Sequence, residues 1–273
     1  NTGTYAAITI FGAKKSTSDH FRYELYTQKP QFKHRLIPFS ELTHDEKWHL
    51  SVENRTALEG KRLGDICQIS VGLTTLADDL YLFKMLRSED GIAEVQNKNG
   101  ENFRFESAIL KPIIKGSKIK STQEAIQEYI LFPYEKDALG KHRIIPEERL
   151  KSHFPLIFSY LLSVKKQLVR RDNGKPNSVK WYAFGRAQGL DSSFGKKIIF
   201  SPMNKEPNFI LSEDEDCTLY SGYFLKYEGD YDFLLTQLNS QRMKEFIAVA
   251  GRDFQGGYKG YNKKVVENFI ITD

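Results

Sequence analysis

Residues 63–86 read LGDICQISVGLTTLADDLYLFKML, and the fold class turns on how that run divides. Ile66, Ile69 and Val71 point to a strand, Gly72 to a turn, and residues 79–86 (DLYLFKML) to a second strand. Working outward, NKNGEN (97–102) is a turn, and Pro112 in ILKPIIKGSKIK (109–120) argues against a continuous helix there. EYILFPY (128–134) is another strand. The best helix follows Ser152: Ile157, Tyr160, Leu161, Val164 and Leu168 form one apolar stripe, with Ser152 as the expected cap and Pro155 in the first turn. Gly174 and Pro176 in RRDNGKPNS (170–178) should stop it. KKIIFSPM (196–203), NFILSE (208–213) and YSGYFLKYE (220–228) then read as successive strands. A second helix, from about Asp232 and carrying Leu234, Leu235 and Leu238, should break and restart at Asn239-Ser240, where either side chain can cap a turn. Strands and helices in irregular order define an α+β chain, a mixed sheet with packed helices, and not a doubly wound sheet.

Upstream, TYAAITIF (4–11) and HFRYELYT (20–27) are β-prone runs joined by a hairpin-like connection. Residues 29–50 read as a polar, irregular bridge, which places a boundary near residue 45. The opening NTGTYAAITIF reads like the middle of a sheet, as expected of a fragment of a longer protein.

The chain has 273 residues, 40% hydrophobic and 27% charged, enough for one large domain or two smaller ones with a real core. Cys67 and Cys217 are the only cysteines and belong to no ligand-spaced motif, consistent with a reduced, cytoplasmic protein. No apolar run reaches the roughly 20 residues of a membrane span, and no signal peptide is evident. The net charge of +5 is unevenly spread. Residues 165–197 hold nine Lys or Arg against Asp172 and Asp191, while residues 206–232 hold eight acids against Lys226. Such asymmetry fits a face built for polyanions, although charges paired across a fold would account for it too.

Chemistry is sparse. None of His20, His34, His44, His49, His142 and His153 falls in a metal-ligand or zincin motif, and there is no nucleophile elbow or phosphate loop. Residues 213–216 (EDED) could hold Mg²⁺, but an acidic turn between strands explains them more simply. Binding is better represented. Residues 170–189 join Arg170, Arg171, Lys175, Lys180 and Arg186 to Trp181, Tyr182 and Phe184, with Gln188 beside Arg186. Basic groups neutralise phosphates, and Arg or Gln can pair with base edges. A surface loop with its aromatics tucked into the core is the plainer reading. Lys111, Lys115, Lys118 and Lys120 surround Gly116-Ser117, and Thr74 and Thr75 follow the flexible Gly72.

The order of these motifs resembles the C-terminal target-recognition domain of TaqI-like adenine-N6 DNA methyltransferases, including those fused to restriction nucleases. RLGDICQISVGLTT (62–75) is similar to the start of recognition domains there and in Type I restriction specificity subunits. ILKPIIKGSKI (109–119), KWYAFGRAQGLD (180–191), KKIIFSPM, LLTQLNSQRMKEFI (234–247) and GGYKGYNKKVVENFII (256–271) follow in the family order. The resemblance covers about residues 60–273. It implies residues 1–45 as the end of a methyltransferase domain with its linker, and 46–273 as a DNA target-recognition domain. The family's Asn-Pro-Pro-Tyr motif and Gly-rich S-adenosylmethionine motif are absent from these residues. The resemblance therefore implies a non-catalytic reader of double-stranded DNA. S-adenosylmethionine and the methyltransferase domain would belong to the parent chain. A sequence-independent binder of single-stranded DNA or RNA is the alternative.

The last stretch, GRDFQGGYKGYNKKVVENFIITD (251–273), fits this reading. Val265, Val266, Phe269 and Ile270 should anchor a terminal helix, and Gly257, Tyr258, Lys259 and Tyr261 should form a loop on the DNA face. The expected DNA contacts are Thr74, Thr75, Lys115, Lys118, Arg170, Arg171, Lys175, Lys180, Trp181, Arg186, Gln188 and that final loop. No catalytic or metal-ligating residue is expected.

Overall fold

The computed structural model describes residues 18–25, 33–42, 59–118 and 128–272. TYAAITIF, the boundary near residue 45, His44, His49 and Lys120 lie outside the described residues. The first described unit is an antiparallel hairpin, β1 (His20–Leu25) with β2 (Lys33–Pro38), in which Phe21 faces Ile37. β2 falls inside the stretch expected to be an irregular bridge. Its charged residues masked a short strand in which Ile37 is fully buried.

From β3 (Lys61–Arg62) the chain makes a single turn, α1 (Leu63–Ile66), and enters β4 (Cys67–Val71). A second single turn, α2 (Asp78–Tyr81), precedes β5 (Leu82–Glu89), so residues 79–86 are only partly strand. β5, β6 (Ile92–Gln96) and β7 (Asn102–Glu106) form a meander, and its first turn places Asp90 and Gly91 at φ 50° and 77°, as a tight two-residue hairpin requires. β8 (Leu110–Lys115), β9 (Glu128–Leu131), β10 (Tyr134–Lys136) and β11 (His142–Ile144) follow, then α3 (Glu147–His153) and α4 (Pro155–Arg170).

Ser152 is not the cap of α4. It lies in α3 and returns its hydroxyl to the Glu148 carbonyl. Pro155 opens α4, and the Glu106 carboxylate at the end of β7 accepts the Leu156 and Ile157 amides at 2.9 and 3.2 Å. A partner 50 residues away thus neutralises the helix start, a contact no local pattern encodes. The expected stripe is in place: Ile157, Tyr160, Leu161 and Leu168 are buried, and Tyr160 meets the rings of Phe83, Phe103 and Phe105.

The second half of the chain builds another core. β12 (Lys197–Phe200), β13 (Met203–Asn204), β14 (Phe209–Ser212), β15 (Thr218–Tyr220) and β16 (Tyr223–Tyr227) lead to α5 (Tyr231–Leu238) and α6 (Gln241–Ala250). Ser240 caps α6 by accepting the Met243 amide, as its position predicts. β17 (Lys259–Gly260), α7 (Lys263–Val266) and β18 (Ile270–Ile271) finish the chain. The expected terminal helix is a correction: it stops after one turn. The Glu267 and Phe269 carbonyls accept the Gly64 and Leu63 amides at 2.9 and 2.8 Å, and Ile270 and Ile271 pair with β3. Backbone already committed to another segment cannot continue a helix.

Two principal sheets result, a six-stranded one ordered β15-β8-β9-β5-β6-β7 and a four-stranded one ordered β14-β12-β16-β4. Among the strands of these two sheets the described pairings are antiparallel apart from β15 with β8, and the chain is α+β. α4 covers the core of the first, while Leu234, Leu238, Met243, Ile247, Val266 and Phe269 cover the second. The sheets meet where Ser221-Gly222 carries the chain from β15 into β16. There Leu73 bridges Tyr220, Gly72 donates to the Gly222 carbonyl at 3.1 Å, and Gly116 donates to the Tyr220 carbonyl at 3.1 Å.

Candidate nucleic-acid interface

The meeting of the sheets leaves an open cleft of about 240 Å³, lined by Val71, Gly72, Leu73, Thr74, Gln188, Pro202 and residues 221–223. Glycines make it possible. A Cβ on Gly72 would sit 2.4 Å from the Leu219 carbonyl oxygen, and one on Gly222 would sit 3.0 Å from the Gly116 Cα. Only bare backbone permits this approach.

Two loops form one rim. Thr74 and Arg186 make an antiparallel bridge, with the Arg186 amide donating to the Thr74 carbonyl and the Gly185 amide to the Thr75 carbonyl. This sets Thr74, Arg186 and Gln188 side by side. The Gln188 amide nitrogen donates to the Thr74 hydroxyl at 3.0 Å, and the Arg186 guanidinium donates to Asp172 at 3.1 Å. Arg186 and Gln188 are exposed. That hydrogen-bonded ion pair holds the Asp172 carboxyl below its usual range.

Several expected contacts instead hold the fold together. Thr75 is buried; its hydroxyl donates to Asp78 and accepts the Ala77 amide at 3.0 Å. Arg171 donates to the Thr75 and Trp181 carbonyls, each at 3.1 Å, and to the Ala183 carbonyl, so its charge points into a loop and away from solvent. Tyr261 is 1% exposed and packs edge-on against Phe209. These three are corrected from contacts to structural groups, because a buried or carbonyl-bound side chain cannot reach a phosphate. Trp181 is half-buried, with the Lys165 ammonium 4.7 Å above its ring. Tyr182 and Phe184 lie in the core, as the plainer reading of their segment held.

The remaining cations divide by partner. Lys118 pairs with Glu128 at 3.0 Å, and Lys259 pairs with Asp253. Lys115 lies 5.6 Å above the Tyr220 ring, with no carboxylate partner among the described residues. Arg170, Lys175 and Lys180 are exposed and form no ion pair among the described residues. Within the basic run, Lys197 is also structural: it is fully buried and donates to the Gly195 and Cys217 carbonyls. Part of the acidic excess is likewise consumed, Glu213 by Lys196 and Asp216 by Lys111, while Asp214 closes the turn between β14 and β15. Among the described residues no three His, Cys, Asp or Glu side chains group as a metal site.

The final loop reaches the cleft through Pro202, whose carbonyl accepts the Tyr261 amide at 2.8 Å while Met203 and Asn204 pair with Gly260 and Lys259. Gly256 and Gly257 adopt φ 78° and 81°, which turns the exposed Tyr258 back under the Lys205 ammonium, 5.2 Å from its ring. Sequence reading missed Lys205, Asp172 and Leu76. Lys205 and Asp172 look like ordinary surface charges, and Leu76 like a core residue. The signal available for Leu76 was its place directly after Thr74-Thr75 in a segment without helical or strand period.

No family model and no curated protein matches the chain. Among solved structures, the Type IIL restriction-modification enzyme MmeI in complex with DNA aligns with a TM-score of 0.48 and 8% identity over 80% of this chain. The chain spans 27% of that protein's length. Among the described residues no helix is long and apolar enough to cross a membrane.

Proposed function

We propose that this chain is the sequence-specific, duplex-DNA recognition domain of a restriction-modification adenine-N6 methyltransferase. The parent chain would supply the S-adenosylmethionine-binding catalytic domain. The observation that carries the proposal is the rim on which Thr74, Arg186 and Gln188 lie together, on the segment whose exposed Arg170, Lys175 and Lys180 form no ion pair among the described residues. The order of sequence motifs described above supports it independently.

The division of labour follows from chemistry. Arg170, Lys175, Lys180 and Lys115 would displace counterions from phosphates, giving affinity that falls steeply with salt but not with sequence. Arg186 offers a planar pair of donors suited to guanine O6 and N7, and Gln188 a donor and acceptor suited to adenine N6 and N7. In the free protein these groups rest on Asp172 and Thr74. Base edges would then replace partners that already hold them in position. A single-stranded binder would instead stack successive bases on open aromatic faces, and the competition below separates it from duplex recognition.

Selection from a randomised duplex pool, followed by competition with unrelated duplex and single strand, tests the reading. A consensus bound at least about a thousandfold more tightly than random duplex is expected. Equal binding to all duplexes, or preference for single strands, would overturn it. Methylome sequencing of a host expressing the parent protein would identify the methylated base.

A further inference from the structure

Leu76 occupies an unusual place on the rim. It is 38% exposed, has φ 57°, and is followed by Ala77, whose amide is held by the Thr75 hydroxyl. Left-handed backbone is disfavoured for leucine and persists only when surrounding contacts determine it. Here they do. The Thr75 carbonyl accepts from both Gly185 and Arg171, and Thr75 donates to Asp78. The side chain is seated as firmly as the backbone. A Cβ on Gly185 would lie 2.4 Å from Leu76 Cγ and 2.5 Å from Cδ1, so the leucine rests directly on glycine backbone. Gly185 has no positive φ. Its lack of a side chain serves this contact.

An apolar group held rigidly in an unfavourable conformation, beside the Thr74–Arg186 bridge, is poorly explained by core packing. Its Cγ and Cδ1 lie against Gly185, so part of the side chain is committed to the protein while the rest is exposed. A partly exposed apolar side chain next to hydrogen-bonding groups has a natural counterpart in the major groove, the 5-methyl group of thymine, which hydrogen-bond donors cannot read. We propose that Leu76 reads a thymine methyl group next to the bases contacted by Arg186 and Gln188. This rests on the DNA-recognition reading above and names a further specificity residue within it.

The test uses uracil, which keeps every Watson–Crick group of thymine and loses only the methyl. Each thymine of the selected duplex is replaced in turn, and affinity is measured for the parent chain, Leu76→Ala and Leu76→Asn. Asparagine tolerates left-handed backbone, so it serves if the alanine variant folds poorly. The parent should lose about fourfold at one position, the effect of burying one methyl group. Both variants should lose nothing there. An equal loss in parent and variants would assign the methyl contact to another residue and overturn the inference, as would no loss at any thymine or a consensus without A·T pairs. Those outcomes leave duplex recognition standing. Absence of any consensus would overturn both.

Discussion

Arg171 donates to the Thr75 carbonyl at 3.1 Å across 96 residues of sequence, tying the end of α4 to the loop that carries Thr74 and Leu76. The adjacent Arg170 is exposed and forms no such bond. Two neighbouring arginines therefore do different work, and single substitutions should separate them.

Arg171→Ala should lower folding stability by about 3 kcal/mol, because hydrogen bonds from a charged donor are lost and acceptor carbonyls are left behind. Arg170→Ala should leave the denaturation midpoint in place and reduce the slope of log affinity against log salt by about one. Chemical denaturation and salt titration check the pair. Equal stability losses, or an unchanged slope in Arg170→Ala, would remove the distinction.

Arg186 and Asp172 lead to a second prediction. Their ion pair is on the surface, so Arg186→Ala should scarcely move the thermal midpoint. It should relax preference at one base pair by about 1–3 kcal/mol, and Gln188→Ala should do the same at a different pair. Asp172→Asn releases the guanidinium and removes a negative charge from the rim, so affinity for all duplexes should rise. Selection with each variant would show it. Recovery of the parent consensus by both Arg186→Ala and Gln188→Ala would exclude them as readers.

The order of elements was largely legible from sequence, since the stripe of α4, the strands at 197–200 and 209–212 and the Ser240 cap all follow from local period and capping chemistry. The misses share a physical cause. The cap of α4 comes from Glu106, and α7 ends because Leu63 and Gly64 occupy carbonyls at 267–269. Partners so distant in sequence leave no local trace. The candidate interface was legible by loop but not by side chain. Thr74 and Gln188 do meet, yet Thr75, Arg171 and Tyr261 have the same residue types and turn inward. Composition identifies a basic, aromatic segment; only packing decides which of its residues face water.

Gly72 tests the join between the sheets. Its missing side chain lets the chain pass Leu219, where a Cβ would meet the carbonyl oxygen at 2.4 Å and the carbonyl carbon at 2.9 Å. Those atoms belong to β15, so neither can yield as a flexible side chain would. Gly72→Ala should cost about 1–3 kcal/mol by overpacking. It should also weaken duplex binding by displacing Thr74. A stability equal to the parent's would mean the two sheets can slide apart at this point without penalty.

Lys197 supplies a prediction in pH. Its Nζ is buried with the Gly195 and Cys217 carbonyls at 2.8 and 2.7 Å, and burial pushes the ammonium down to about 8 from 10.5. Two acceptors match the two N–H groups of a neutral amine, so loss of the proton sacrifices neither bond. The nearby Cys217 thiol is pushed up to about 12 by the same burial and stays neutral over this range. Below pH 8 the folded and unfolded lysines are both charged, and the cost of burying charge is felt in full. Between 8 and 10.5 the folded lysine has released its proton while the unfolded one retains it, so stability rises with pH. Cys67 and Cys217, both pushed up to about 12 from 9.0 by burial, oppose this from about pH 9, and buried Tyr220 and Tyr261 from about pH 10, but they do so in parent and Lys197→Met alike, so the comparison isolates the lysine. From pH 7.5 to 9.5, stability of the parent relative to Lys197→Met should therefore increase by roughly 1.5 kcal/mol. Urea denaturation of both proteins across that range measures the difference directly. A gap that stays constant would show that Lys197 keeps its proton, and that water or a carboxylate reaches the amine.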